Sequence, residues 1–200
     1  VLILGGGEAT RLPGKLELAA GGVPMIVRVF RNLSAERETA IACKGSFARA
    51  IDDALTAPMV VDRWSLRGPL AGMLTTMAQM RSRFVFAVAG DAPFVDAAFV
   101  ERLERERLPG DEAVVPVHES DGREQLEPLA ALYDRLAFLR EGLPVLRSGR
   151  GALRLVIDRL RARMVRVDDA RIFANVNTQA EYEAIRPQLL ETEREHLERD

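Results

Sequence analysis

Three glycines, Gly5, Gly6 and Gly7, follow the apolar run Val1-Leu2-Ile3-Leu4, and Arg11 and Lys15 stand at the far end of the same stretch. A backbone without side chains approaches a phosphate closely and turns its N–H groups toward it. Arg supplies a planar fork of donors and Lys a compact point charge. Bare main chain plus fixed positive charge is what a triphosphate requires. Two familiar phosphate loops fit poorly. The pattern Gly-x-x-x-x-Gly-Lys-Ser/Thr fails because Ala9 occupies its first glycine and Leu16 its hydroxyl position. The dinucleotide pattern Gly-x-Gly-x-x-Gly fails at Thr10, and the second apolar run ends in Cys43-Lys44 rather than in an acid. A plain strand-to-helix turn is the remaining alternative.

The second chemical signal is Asp91. It comes directly after the apolar run 84–89 and Gly90, and Pro93 prevents the strand from continuing. A carboxylate at the end of a buried strand can hold a divalent metal, and Mg²⁺ takes one or two carboxylates together with substrate phosphates. An Asp opening a turn before Pro93 is the simpler alternative. Asp62 ends a further apolar run, 59–61. Glycine loop, cations and strand-end acids together point to nucleotidyl transfer, with Arg11 and Lys15 offsetting charge on the leaving pyrophosphate and Asp91 carrying Mg²⁺. His118 and His196 form no constellation with Cys43 and read as solvated surface residues.

Elements that could position these groups follow from the apolar pattern. Strands are predicted over 1–4, 39–43, 59–61, 84–89, 112–117, 126–132 and 163–167. Between them, helices are predicted over 25–33, 47–55, from Pro69, over 96–107, 133–142, 152–160 and from Gln179, the last capped by Thr178. Residues 118–125 and 168–173 read as loops, and the charged tail from Gln188 as a surface or frayed helix. The run 84–89 is apolar without alternation, as in a strand covered on both faces of a parallel sheet. Alternating strands and helices predict a doubly wound, mostly parallel α/β sheet, with ligands beyond the carboxyl ends of its strands.

Two hundred residues suffice for one domain with a sizeable core, expected over 1–186 with a charged tail over 187–200. Within it, 1–117 reads as a nucleotide-binding half and 118–186 as an acceptor half. A net charge of −2 gives no global field for nucleic acid, so anion binding must be local. A single cysteine and no apolar run near the length of a membrane span predict a cytoplasmic protein.

Six short segments, in order, resemble the molybdenum cofactor guanylyltransferase (MobA-like) family of nucleotidyltransferases. They are Leu4-Gly5-Gly6-Gly7 with Arg11 and Lys15, then Gly22-Val23-Pro24-Met25, then Gly68-Pro69-Leu70-Ala71-Gly72, then Asp91-Ala92-Pro93-Phe94, then Glu127-Pro128-Leu129-Ala130-Ala131-Leu132-Tyr133, and finally Asn175-Val176-Asn177-Thr178. Gly5 replaces a usual Ala, and the Arg-to-Lys spacing is shortened. The family often has an Asn after its second strand; here the strand ends in Lys44, so no contact is carried over. The resemblance implies the three-layer fold of nucleotide-diphospho-sugar transferases. It implies GTP bound by the first motif, Asp62, Gly68, Pro69, Leu70 and Asp91, with Mg²⁺ on Asp91. It implies molybdopterin as acceptor, beside Asn175 and Asn177, and transient contact with pathway proteins or recipient apoenzymes.

Arg147, Arg150 and Arg154 gather around Gly149 and Gly151 before a predicted helix, and Arg150 is expected to meet the acceptor phosphate. Cytidylyl or uridylyl transfer to a small phosphorylated substrate is the alternative enzyme. A nucleotide-binding scaffold is the alternative outside catalysis.

Overall fold

Between residues 25 and 106 the chain alternates helix and strand, as the apolar pattern predicts. The computed structural model describes residues 1–5, 15–20, 22–44, 49–61, 68–120, 122–176 and 178–197. Strands are β1 (Leu2–Leu4), β2 (Ala19–Ala20), β3 (Val23–Pro24), β4 (Ala40–Cys43), β5 (Met59–Val61), β6 (Phe84–Ala89), β7 (Ala113–Ser120), β8 (Arg123–Leu126), β9 (Ala130–Asp134) and β10 (Ala162–Arg166). Helices are α1 (Met25–Leu33), α2 (Arg49–Ala54), α3 (Pro69–Met77), α4 (Ala97–Glu106), α5 (Arg135–Arg147), α6 (Leu153–Ile157) and α7 (Gln179–Leu197).

The main sheet has the order β10-β7-β9-β6-β1-β4-β5, with β8 also on β7. Pairs β1–β4, β1–β6, β4–β5 and β7–β10 are parallel. Only β8 and β9 run against their neighbours. The sheet is therefore mixed but mostly parallel, and the carboxyl ends of β1, β4, β5, β6, β7 and β10 share one edge.

Successive side chains leave a strand on opposite faces. Ile3, Phe86, Val88 and Val114 enter one core layer with Ile26, Val29, Phe30 and Leu33 of α1, Ile51 of α2, and Phe99, Val100 and Leu103 of α4. Leu2, Val85, Ala87, Ala113 and Val115 enter the other, with Leu70, Met73, Leu74 and Met77 of α3, Phe138 of α5 and Val156 of α6. Burial on both faces explains why 84–89 shows no alternation.

Helix starts are set by local chemistry. Asp96 accepts from the N–H of Phe99 at 2.8 Å and opens α4. Asp134 accepts from the N–H groups of Leu136 and Ala137, each at 3.1 Å, and opens α5. Thr178 and Glu181 form a reciprocal capping box on α7, Oγ1 from N–H at 3.2 Å and carboxylate from N–H at 3.0 Å.

The expected loop over 118–125 is instead a hairpin. β7 runs on to Ser120 and returns as β8, with Gly122 at a φ of 70° in its turn. These strands extend past the helical layers, so they carry no apolar stripe to betray them. The expected strand over 126–132 is split between β8 and β9, and Tyr133 belongs to β9 rather than to the following helix. The expected loop over 168–173 contains a 3₁₀ turn, Ala170–Phe173.

On the edge opposite the strand ends described below, buried Glu112 ties three elements together. It accepts from the N–H of Arg161 at 3.0 Å and from the guanidinium groups of Arg140 and Arg161 at 3.0 and 3.2 Å. The Arg161 N–H, then Arg140, hold its carboxyl below its ordinary value of 4.5. A depressed folded-state pKa contributes stability that is complete above the unfolded value and disappears as pH falls through the folded one. Glu112→Gln should cost about 1–3 kcal/mol at pH 7. In urea titrations the gap between wild type and variant should narrow as pH drops below 4.5.

Candidate functional site

The site begins where β1 and β6 end side by side. Leu4 stands level with Ala89. One residue further, the N–H of Gly90 donates to the Leu4 carbonyl at 3.0 Å, and Gly5 donates to the Ala42 carbonyl at 2.8 Å. Gly5, which opens the glycine run, is buried between the ends of β6 and β4. Space at Gly90 is tight. A Cβ there would stand 3.0 Å from the Leu4 carbonyl oxygen and 3.3 Å from Leu16 Cδ2.

Asp91 follows, 7% exposed. Its loop is held from two sides. The Asn32 side-chain amide of α1 donates to the carbonyls of Pro93 and Val95 at 3.1 and 3.3 Å. The Val176 N–H donates to the Asp91 carbonyl at 3.3 Å. This second bond brings exposed Asn175, expected on the acceptor side, next to the Asp91 segment.

Leu4, Ala42, Cys43, Lys44, Gly68, Pro69 and Gly72 line one recess at this edge. Leu4, Gly68 and Pro69, expected to contact nucleotide, thus come together. Leu70, also expected to contact nucleotide, has its side chain fully buried in the core and does not line the recess. Cys43 and Lys44 also line it, although no role was expected at the end of that strand. Their position at the carboxyl end of β4 was the available signal. Gly68 has a φ of 103° at the start of α3, and a Cβ on it would meet the Gly151 carbonyl at 3.5 Å. The turn bearing exposed Arg150 therefore reaches the rim of the recess. Arg154 turns away from the trio and pairs with Asp158 at 2.8 Å.

Gly6, Gly7, Arg11, Asp62 and Asn177 lie outside the described residues, as does the Lys15 side chain. The Lys15 backbone opens a 3₁₀ turn, Lys15–Glu17, that packs against α1.

His118 is not a solvated surface residue. Its side chain is 12% exposed, with Nε2 at 2.8 Å from a Glu127 carboxylate oxygen. Its ring stacks on Phe173 at 5.3 Å between centroids, an end-on continuation of the core aromatics Phe86 and Phe99. The neighbouring Glu127-Pro128-Leu129 segment is fixed by Tyr133, whose hydroxyl donates to the Pro128 carbonyl at 2.8 Å. Burial pushes that phenol far above its ordinary range, so it remains a donor. The Leu129 carbonyl accepts from Ala89 at 3.3 Å, fastening this segment across the end of β6.

Among the described residues no three His, Cys, Asp or Glu side chains converge as a metal cluster. At this edge the buried Asp91 follows the end of β6, beside the end of the parallel strand β1 that leads into the glycine run.

Residues 1–164 match the family model described as the MobA-like NTP transferase domain. The chain is 31% identical over 188 residues to a molybdenum cofactor guanylyltransferase of Cupriavidus metallidurans, covering 88% of this chain and 89% of that one. Its fold is similar to molybdopterin-guanine dinucleotide biosynthesis protein A from Archaeoglobus fulgidus, with TM-score 0.78, 22% identity, and 93% and 96% of the two chains covered. It is also similar in fold to CMP:2-keto-3-deoxy-manno-octonic acid synthetase complexed with CTP, with TM-score 0.74, 16% identity, and 96% and 98% covered.

Proposed function

Because this chain belongs to the MobA-like NTP transferase family and is a nucleotidyltransferase, we propose that it moves GMP from GTP onto the phosphate of molybdopterin and releases pyrophosphate. The observation that carries this is the meeting of three segments: Gly5 at the end of β1, Asp91 at the end of β6, and the Asn175 segment hydrogen-bonded to Asp91. The first two suit a triphosphate. The third offers the exposed Asn175 where an acceptor would enter.

The acceptor phosphate is already an oxygen nucleophile. It attacks the α-phosphorus, the bond to the bridging oxygen breaks, and its electron pair leaves on pyrophosphate. The protein's part is to align the two substrates and to stabilise charge. The Gly5 amide is held by the Ala42 carbonyl, so the amides of Gly6 and Gly7 would cradle the phosphates, and Arg11 and Lys15 would offset the charge gathering on the leaving group. Asp91 would hold Mg²⁺. One buried carboxylate at a strand end fits an ion that takes one or two carboxylates plus substrate phosphates. When bound, Mg²⁺ would supply Lewis-acid neutralisation of phosphate charge. Asn175, Asn177 and Arg150 would orient the acceptor. Among the described residues no helix is long and apolar enough to cross a membrane.

The test is a panel of GTP, CTP, ATP and UTP, each with Mg²⁺ and molybdopterin, read as pyrophosphate release. GTP should give at least about 10-fold more product than any other, the discrimination available to a pocket that hydrogen-bonds the correct base. Preference for CTP would replace guanylyl with cytidylyl transfer while leaving the reaction class intact.

A further inference from the structure

The segment beginning at Lys15 passes through Leu18 into the β2–β3 hairpin before α1 starts. This hairpin pairs Ala19 with Pro24 and Ala20 with Val23, and among the described residues it joins no other strand. A ribbon of that size is not stable alone. It is held by the C-terminal helix. The Tyr182 hydroxyl of α7 donates to the Ala19 carbonyl at 2.6 Å, across 163 residues of sequence. Met25, Val176 and Tyr182 form a small core of their own, with Leu18 and Ile185 packed against it. The Met25 N–H donates to the Leu18 carbonyl at 3.0 Å, and Val176 is the residue bonded to the Asp91 carbonyl. Beneath the site, one cluster therefore joins the Lys15 segment, the Asp91 loop and the Asn175 segment. Val176 and Tyr182 lie beyond residue 164, where the family model stops.

We propose that Tyr182 is a positioning residue for the nucleotide. Its hydroxyl fixes the hairpin that follows Lys15, and the helix after the family domain thereby becomes part of the nucleotide site. This rests on the nucleotidyl-transfer function proposed above. Tyr182→Phe removes the bond and keeps the ring in its cluster. Ala19 is exposed, so water replaces the lost donor at its carbonyl and the fold is spared. The hairpin gains freedom that nucleotide binding must then remove.

Binding of GTP, CTP, ATP and UTP with Mg²⁺ is measured by calorimetry on the full chain, alongside steady-state pyrophosphate release and thermal melting. For whichever nucleotide the wild type binds, Tyr182→Phe should raise Kd and the nucleotide KM by roughly 3–10-fold, the worth of one hydrogen bond. The loss should fall on KM rather than kcat, with melting lowered by no more than about 2–4 °C. An unchanged Kd, or a fall confined to kcat, overturns the role of Tyr182 and leaves the proposed reaction standing. A wild type that binds none of the four nucleotides overturns the proposed function and this inference with it.

Discussion

Asp91→Asn lowers kcat/KM for pyrophosphate release by about 10²–10³-fold, the cost of losing one group aimed at charge that develops in the reaction. Asparagine matches the shape of aspartate, and the contact to Val176 uses the Asp91 main-chain carbonyl. Thermal melting on the same preparation separates any loss of loop support from the loss of the charge. What disappears is one negative charge on a residue that is 7% exposed, next to the end of β1. Raising Mg²⁺ should recover part of the activity if the defect is in ion affinity. Activity within about fivefold of wild type at every Mg²⁺ concentration would sink the assignment, since a turn-forming Asp is replaced by Asn at little cost.

Gly90→Val tests the same edge without touching a charge. A Cβ at Gly90 already meets the Leu4 carbonyl oxygen at 3.0 Å, Leu16 at 3.3 Å and Ile26 at 3.5 Å. Two further methyl groups add volume where the Cβ alone is already tight. The Leu4 carbonyl is also the acceptor for the Gly90 N–H at 3.0 Å, so relief of the clash lengthens the bond that holds the two strand ends together. Overpacking of this kind costs typically 1–3 kcal/mol. The larger effect should be on activity: separating Gly5 from Asp91 by about 1 Å should cost on the order of 10²-fold in kcat. Urea denaturation and pyrophosphate release on the same preparation separate the two effects. A variant that loses stability but keeps kcat would mean that the spacing of these strand ends does not matter for the reaction.

Much of this edge was legible because strand ends announce themselves. The run 84–89 is the strand itself, and Gly90, Asp91 and Pro93 could only follow it. The same logic located Gly5. Other features depend on tertiary approach and leave no local trace. Nothing around Asn32 or Tyr182 says that their polar atoms reach Pro93 and Ala19, more than sixty and more than one hundred and sixty residues away. His118 looked like a surface residue because its neighbours Glu119 and Ser120 are polar. They are polar because the strand has passed beyond the helical layers, while its own ring still covers Phe173. The reversed direction of β9 was hidden for a different reason. The pattern of an internal strand is the same in either direction, and only its pairing with β6 and β7 tells which way it runs.

The central position of β1 has a consequence for biosynthesis. Both of its sheet neighbours, β4 and β6, emerge later in synthesis, and the Val176 bond that steadies Asp91 comes later still. A nascent chain leaving the ribosome therefore carries its glycine run without both framing strands until β6 is complete at Ala89. Domains form as cooperative units once their parts are available. Competence to bind nucleotide should accordingly arise late and abruptly, when α7 has been released, rather than growing with chain length.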